Sequence, residues 1–235
     1  MRVAKEFSRF AKSYNQHNII QSEVAQKLIS SLPKSYYHHI LDVGCGRGEV
    51  YQNLSKNGIE FSTLSALDIS LEMLELHPKD SRVTLIEGDF CALETFSDLS
   101  KESYDVVISA SALQWSQDLD TTLKGLALVC NEGYFAIFTS QTFASLHQCA
   151  GVTSPIYSKE SLQEEISLYF DASFEVLSYK LHFESVYAML RYIKESGTSG
   201  GEKQLSYLQT KRLIAEYPYD YLEFEVLFVR TLQKV

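Results

Sequence analysis

The chain has 235 residues, 45% of them apolar, enough for one large domain to fill its own core. Its 21 Lys and Arg stand against 30 Asp and Glu, and a formal charge of −9 is the wrong sign for a general binder of nucleic acid or anionic membrane. Apolar runs reach only about five residues, as in Tyr134–Phe138, where a bilayer crossing needs about 20.

The first ten residues carry Arg2, Lys5, Glu6 and Arg9 among their apolar positions, so no signal-peptide core is present and a cytoplasmic protein is expected. Cys45, Cys91, Cys130 and Cys149 are far apart, with no C-x-x-C pair and no histidine at ligand spacing. They read as reduced thiols, and neither a disulfide nor a metal is expected. No repeat of solenoid period occurs.

In chain order, Val3, Phe7, Phe10 and Tyr14 lie on one helical face, and Val24, Ala25, Leu28, Ile29 and Leu32 on a second, with a break at Asn15–Asn18 and an end at Pro33. Strand and helix then alternate: a strand at His38–Val43, a helix near Gly48–Lys56, a strand at Ser62–Leu67, a helix near Leu71–Leu76 and a strand at Val83–Glu87. This interval argues for right-handed crossovers and a parallel α/β sheet. Tyr104–Ala110 and Tyr134–Thr139 read as central strands flanking a helix at Leu119–Val129. Farther on come a helix at Ser158–Phe170, a strand at Phe174–Phe183, helices at Ser185–Glu195 and Gln204–Glu216, and a last strand at Tyr221–Arg230. The expected organisation is a helical cover over residues 1–33 and one domain over 34–235, with a helical insertion at 185–217.

The most informative run is His39-Ile40-Leu41-Asp42-Val43-Gly44-Cys45-Gly46-Arg47-Gly48, where a strand empties into alternating glycines and then a helix. Such a turn lets backbone approach a ligand closely. The spacing G-x-G-x-G is not a P-loop, and Glu49 occupies the position where a nicotinamide fingerprint wants its third glycine. Asp42 suits a cationic ligand better than a pyrophosphate. Asp68 ends the second strand, 24 residues after Gly44, where an acid can accept both hydroxyls of a ribose; alone it could equally cap the following helix. Gly88-Asp89-Phe90 follows the third strand, with a carboxylate for an adenine amino group and a ring to cover the base. Three acids at three strand ends face one crevice of an open α/β sheet.

These residues resemble the class I S-adenosylmethionine-dependent methyltransferases: Leu41–Glu49 is similar to their first motif, Ala66–Ser70 to their second and Glu87–Phe90 to their third. The resemblance implies a Rossmann-like, mostly parallel seven-stranded sheet with helices on both faces and an antiparallel last strand. It also implies S-adenosyl-L-methionine as cofactor, S-adenosyl-L-homocysteine as product and no metal. The implied cofactor residues are His17, Asp42, Gly44, Cys45, Gly46, Asp68, Ile69, Met73, Gly88, Asp89, Phe90 and Ser109.

Three further segments narrow the likeness. Phe7–His17 reads F-x-R-x-A-x-x-Y-x-x-H, Ser111-Ala112-Leu113-Gln114-Trp115 follows the fourth strand and places the lone Trp and an amide beside the expected methyl group, and Arg191–Gly197 reads R-x-x-K-x-x-G on the insertion. All three resemble the malonyl-acyl carrier protein O-methyltransferases of biotin biosynthesis. That implies methylation of the free malonyl carboxylate on an acyl carrier protein, with Tyr14, Gln114 and Arg191 as acceptor-handling groups in a monomer that needs neither nucleic acid nor membrane. Trp115 is expected as a pocket wall. Residues 1–12 and 187–213 each carry a net charge of +3, leaving −15 elsewhere, so an acidic carrier would be steered to the two expected recognition segments. Alternatives stay open: a methyltransferase for a small hydrophobic acceptor such as a quinone precursor or fatty acid, favoured by 29 aromatic residues; a nicotinamide oxidoreductase; and a cofactor-binding protein without turnover.

Overall fold

The computed structural model of the protein describes residues 18–195 and 205–234. Strands β1 (Tyr36–Val43), β2 (Glu60–Asp68), β3 (Val83–Glu87), β4 (Val106–Ala110), β5 (Glu132–Phe138), β6 (Phe170–His182) and β7 (Tyr221–Gln233) form one sheet in the order β3-β2-β1-β4-β5-β7-β6. The first five run parallel, and β7 lies antiparallel between β5 and β6. The strand order reverses between β1 and β4, which opens a crevice beyond their carboxyl ends.

The described helices are α1 (Ile19–Ser30), α2 (Glu49–Lys56), α3 (Leu71–Glu75), α4 (Leu93–Leu99), α5 (Leu119–Val129), α6 (Ala144–Ala150), α7 (Lys159–Tyr169), α8 (Val186–Glu195) and α9 (Tyr207–Glu216). Side-chain caps set several of their starts: Ser70 accepts from Met73 N, Asp118 from Thr121 N and Ser158 from Ser161 N, while Ser206 and Gln209 close a capping box.

Two apolar layers sandwich the sheet. On one face Val24 and Leu28 of α1, Leu54 of α2, Leu146 of α6, Met189 of α8 and Leu213 of α9 pack on Ile40, Ile108, Ala136 and Phe224. On the other, Phe96 of α4, Leu123 and Leu126 of α5 and Leu162 and Ile166 of α7 pack on Leu41, Val107, Phe135 and Val229. Strands covered on both sides have no polar face, so Val106-Val107-Ile108 and Phe135–Ile137 are continuous apolar runs. β7 changes character midway: buried and half-buried residues alternate up to Val226, then Leu227, Phe228 and Val229 are all buried. The inserted helices α8 and α9 join the first face, where the Tyr192 ring meets Phe183 and Phe224 at centroid distances of 5.3 and 6.4 Å.

Two helices escaped the sequence pattern, α4 and α6. Each has seven residues and buries only two side chains, Phe96 with Leu99 and Leu146 with Ala150, too few to establish a helical period. The helical stripe expected at Val3–Tyr14 lies outside the described residues.

Candidate functional site

β1 ends at Val43, and the chain turns through Gly44, Gly46 and Gly48 with φ of +73°, +53° and +86°. Gly44 N and Cys45 N both donate to Leu67 O, at 2.8 and 2.9 Å, so the loop hangs from the end of β2. A Cβ at Gly44 would lie 2.2 Å from the Ala112 Cβ, whereas one at Gly46 would meet nothing within 4 Å. At Gly46 the left-handed backbone alone calls for glycine, and space is left open above it.

That space is a cavity of about 250 Å³. Its walls are the glycine loop (Gly44–Arg47 and Glu49), the end of β2 with α3 (Asp68–Ser70 and Met73), Asp89–Cys91 after β3, and Ala110–Ala112, Trp115 and Gln117 after β4. Gln21 and Ala25 of α1 close one side. Helix α1 is tied to the loop through Glu49, which accepts from Asn18 Nδ2 at 2.9 Å and from Ser22 Oγ at 3.3 Å.

Asp68 accepts from Gly46 N and from Ser70 N, each at 2.8 Å, so one carboxylate braces the glycine loop and starts α3. Burial raises its pKa, and the backbone N–H groups of Ser70, Gly46 and Ile69 oppose that rise. Asp89 accepts from Cys91 N at 2.8 Å, which sets the turn carrying Phe90. Asp42 lies behind the loop, fully buried, and neither carboxylate oxygen has a hydrogen-bond partner. Burial, with the Asp68 charge nearby, lifts its pKa well above the ordinary carboxylate range. An orphaned buried carboxyl beside a second acid is a poor structural element and a good counter-group for a cation.

Of the residues expected from the sequence, Gly44, Cys45, Gly46, Asp68, Ile69, Met73, Asp89 and Phe90 meet on this cavity. Asp42, Gly88, Ser109 and Gln114 stand outside its lining. Gly88 packs on Leu67 and Thr95, and Ser109 Oγ donates to Val43 O at 2.7 Å, joining β4 to β1. Gln114 is buried in a short 3-10 turn, its Nε2 donating to Ser111 O at 2.7 Å. Arg191 is exposed on α8 and does not line the cavity. Tyr14 and His17 lie outside the described residues. The sequence reading passed over Gln21, Ala25, Arg47, Glu49 and Gln117 as walls. Arg47 and Glu49 adjoin the glycine motif and were within reach of it; Gln21 reaches the cavity only through the packing of α1.

The Cys45 thiol is pushed well up by burial and by Asp42 and Asp68, and Cys91 is raised chiefly by burial, so neither is a ready thiolate. Among the described residues no group of three or more His, Cys, Asp or Glu could hold a metal ion, and no helix is long and apolar enough to cross a membrane.

Comparison with known proteins places this geometry. A family model described as a methyltransferase domain matches residues 41–138. The malonyl-[acyl-carrier protein] O-methyltransferase of Priestia megaterium is 33% identical over 156 residues, covering 63% of this chain and 55% of that protein. The protein of the same name from Bacteroides thetaiotaomicron is 28% identical over 214 residues, covering 87% and 80%. The chain spans 55% and 59% of the length of the Priestia megaterium and Erwinia billingiae relatives. Among solved structures, the YcgJ protein of Bacillus subtilis superposes with a TM-score of 0.64 at 12% identity, over 91% of this chain and 99% of that one. The phosphoethanolamine N-methyltransferase 2 of Haemonchus contortus, solved with S-adenosyl-L-methionine, gives 0.53 at 17% identity, over 92% and 52%.

Proposed function

We propose that the chain is a class I methyltransferase that transfers a methyl group from S-adenosyl-L-methionine to the free carboxylate of a malonyl thioester on an acyl carrier protein, a reading supported by the methyltransferase-domain match and by relatives named malonyl-[acyl-carrier protein] O-methyltransferase. One observation carries this reading: a single cavity joins the acids at the ends of β2 and β3 to the turn after β4.

The residues fit the cofactor. Asp68 retains acceptor capacity for a ribose diol, Asp89 and Phe90 offer an acceptor and a ring to an adenine, and the open face of Gly46 leaves room for a close approach. Asp68 and Asp89 bring carboxylates to the cavity wall, and Asp42, buried behind the loop, is an acid that a sulfonium or ammonium group would favour in its ionised form. When bound, the cofactor supplies an electrophilic methyl group that a carboxylate oxygen takes up, leaving S-adenosylhomocysteine.

What this chain's residues must do is position. A carboxylic acid with an ordinary pKa near 4 is already ionised at neutral pH, so no general base is needed. The raised thiols of Cys45 and Cys91 are consistent with a site that makes no covalent intermediate. A strong ion pair to the acceptor carboxylate would stabilise the ground state more than the transition state, in which that charge disappears. The apolar walls Met73, Phe90 and Trp115 exclude water around the reacting atoms. From the motifs they belong to, Tyr14, Gln114 and Arg191 are assigned to acceptor handling, Arg191 for the distal part of the acceptor, in a monomeric cytoplasmic enzyme. The lid organisation over residues 1–33 belongs to the same reading.

Mass spectrometry of the products tests it. Methylation of malonyl-acyl carrier protein or malonyl-coenzyme A, without methylation of free malonate, is the expected result. Turnover only on a small apolar hydroxy compound or a fatty acid overturns the acceptor, and absence of S-adenosylmethionine binding in a calorimeter overturns the whole reading.

A further inference from the structure

We propose that Ser111 determines the acceptor class, its hydroxyl donating a hydrogen bond to the oxygen of the acceptor carboxylate that does not take the methyl group. The inference rests on the methyltransferase reading and adds to it a residue to which no role has been given.

Three observations converge on this serine. It follows β4 directly and lines the cavity, and its neighbour Ala112 touches Gly44 of the glycine loop. Its backbone is left-handed, φ +62°, a conformation that glycine or asparagine adopts at less cost. Both of its backbone groups are used: the N–H donates to Ala136 O at 2.9 Å and the carbonyl accepts from Gln114 Nε2 at 2.7 Å. The hydroxyl is buried without a partner, and so is Gln114 Oε1. The chain therefore pins a strained wall residue from both sides and leaves its buried hydroxyl without a partner. Strain and an unsatisfied polar atom each cost stability, and their coincidence at a cavity is the pattern of a binding group.

A neutral hydroxyl suits a carboxylate acceptor better than a cation would. It orients one oxygen while leaving the negative charge available for attack by the other. The oxygen it holds becomes the carbonyl of the product ester and remains an acceptor, so the hydrogen bond is kept through the reaction. An acceptor with a single nucleophilic oxygen, such as a phenol, offers no second atom for this contact.

The test compares Ser111→Ala and Ser111→Gly with the wild type. Titration of malonyl-coenzyme A into protein saturated with S-adenosylhomocysteine reads acceptor binding without turnover, and steady-state kinetics read kcat/KM. Both variants are expected to weaken the malonyl thioester about 10- to 100-fold, the span of a lost hydrogen bond to a charged group. Affinity for S-adenosylhomocysteine should stay within twofold, and the glycine variant should melt at or above the wild-type temperature. Wild-type acceptor affinity in the glycine variant overturns the proposal, because the backbone conformation would then be what matters. An equal loss of S-adenosylhomocysteine affinity overturns it too, by assigning the hydroxyl to the cofactor. Failure of the wild type to bind S-adenosylhomocysteine would instead remove the underlying reading, and that result is separable from either.

Discussion

Gly44 and Ala112 are in van der Waals contact across the top of the sheet, so closely that a methyl group on Gly44 would sit 2.2 Å from the Ala112 Cβ. The loop expected to carry the cofactor and the turn expected to face the acceptor are thus packed as one unit. Gly44→Ala adds a left-handed alanine, about 1–2 kcal/mol, to a clash that neither backbone can relieve. The variant is expected to melt at least about 4 °C lower and to lose cofactor affinity. Ala112→Gly, which only removes a methyl, should retain most of that affinity. Thermal melts with calorimetry compare the two.

Asp68 braces Gly46 and Ser70 before any ligand arrives, so its removal acts twice. Asp68→Ala is expected to weaken S-adenosylmethionine about 100-fold, as expected for losing hydrogen bonds to a charged group together with the loop's support. Asp68→Asn keeps one acceptor oxygen and should fall between. Equal affinity in wild type and Asp68→Ala would withdraw the assignment.

Much of this site was readable before any coordinates. Asp68 and Asp89 stand directly after apolar strands whose ends define the crevice, and the alternating glycines need no tertiary context to be recognised. Gln21 and Ala25 were not readable as walls, because a helical stripe shows which face is buried but not where along the sheet it comes to rest. Ser111 was legible only as the start of the segment after the fourth strand, and its φ and its orphaned hydroxyl are what set it apart. In the fold, central strands were clear from their apolar runs. The edges shifted, with β6 beginning at Phe170 rather than Phe174, because pairing with β7 extends a ladder past the alternating segment.

The Asp42 carboxyl is held above its ordinary pKa, so the native state keeps a proton that the unfolded chain releases from about pH 4. Stability from this group is therefore present at low pH and lost as pH rises through the native value. Asp42→Asn should raise the melting temperature of the ligand-free protein near neutral pH by about 2–4 °C, the shift that about 1 kcal/mol produces at this size. It should also flatten the fall in stability with rising pH. A cationic ligand favours the ionised carboxyl, so wild-type cofactor affinity should increase with pH and the variant's should not. Melting curves and calorimetry from pH 5 to 8 decide both.

The Glu49 carboxylate is a polar tie between α1 and the glycine loop. Glu49→Ala leaves Asn18 and Ser22 without this acceptor and should cost about 1 kcal/mol. Hydrogen exchange in α1 should accelerate more than in β4 or β5. Uniform acceleration would mean that α1 opens only with the whole domain.

Tyr14 is assigned a positioning role by its place in the amino-terminal motif. Tyr14→Phe is expected to lower kcat about 10-fold or more while leaving S-adenosylmethionine affinity within twofold. Unchanged kcat would return this tyrosine to an ordinary apolar stripe.

The β6–β7 ladder closes with His182 opposite Tyr221, so the chain leaves the sheet and re-enters it at adjacent points. Everything between them, α8 and α9 included, is an excursion whose ends the ladder already holds together. Lengthening such a loop adds little closure entropy. The inserted helices can thus vary in length or be replaced with little cost to the sheet that carries the cavity.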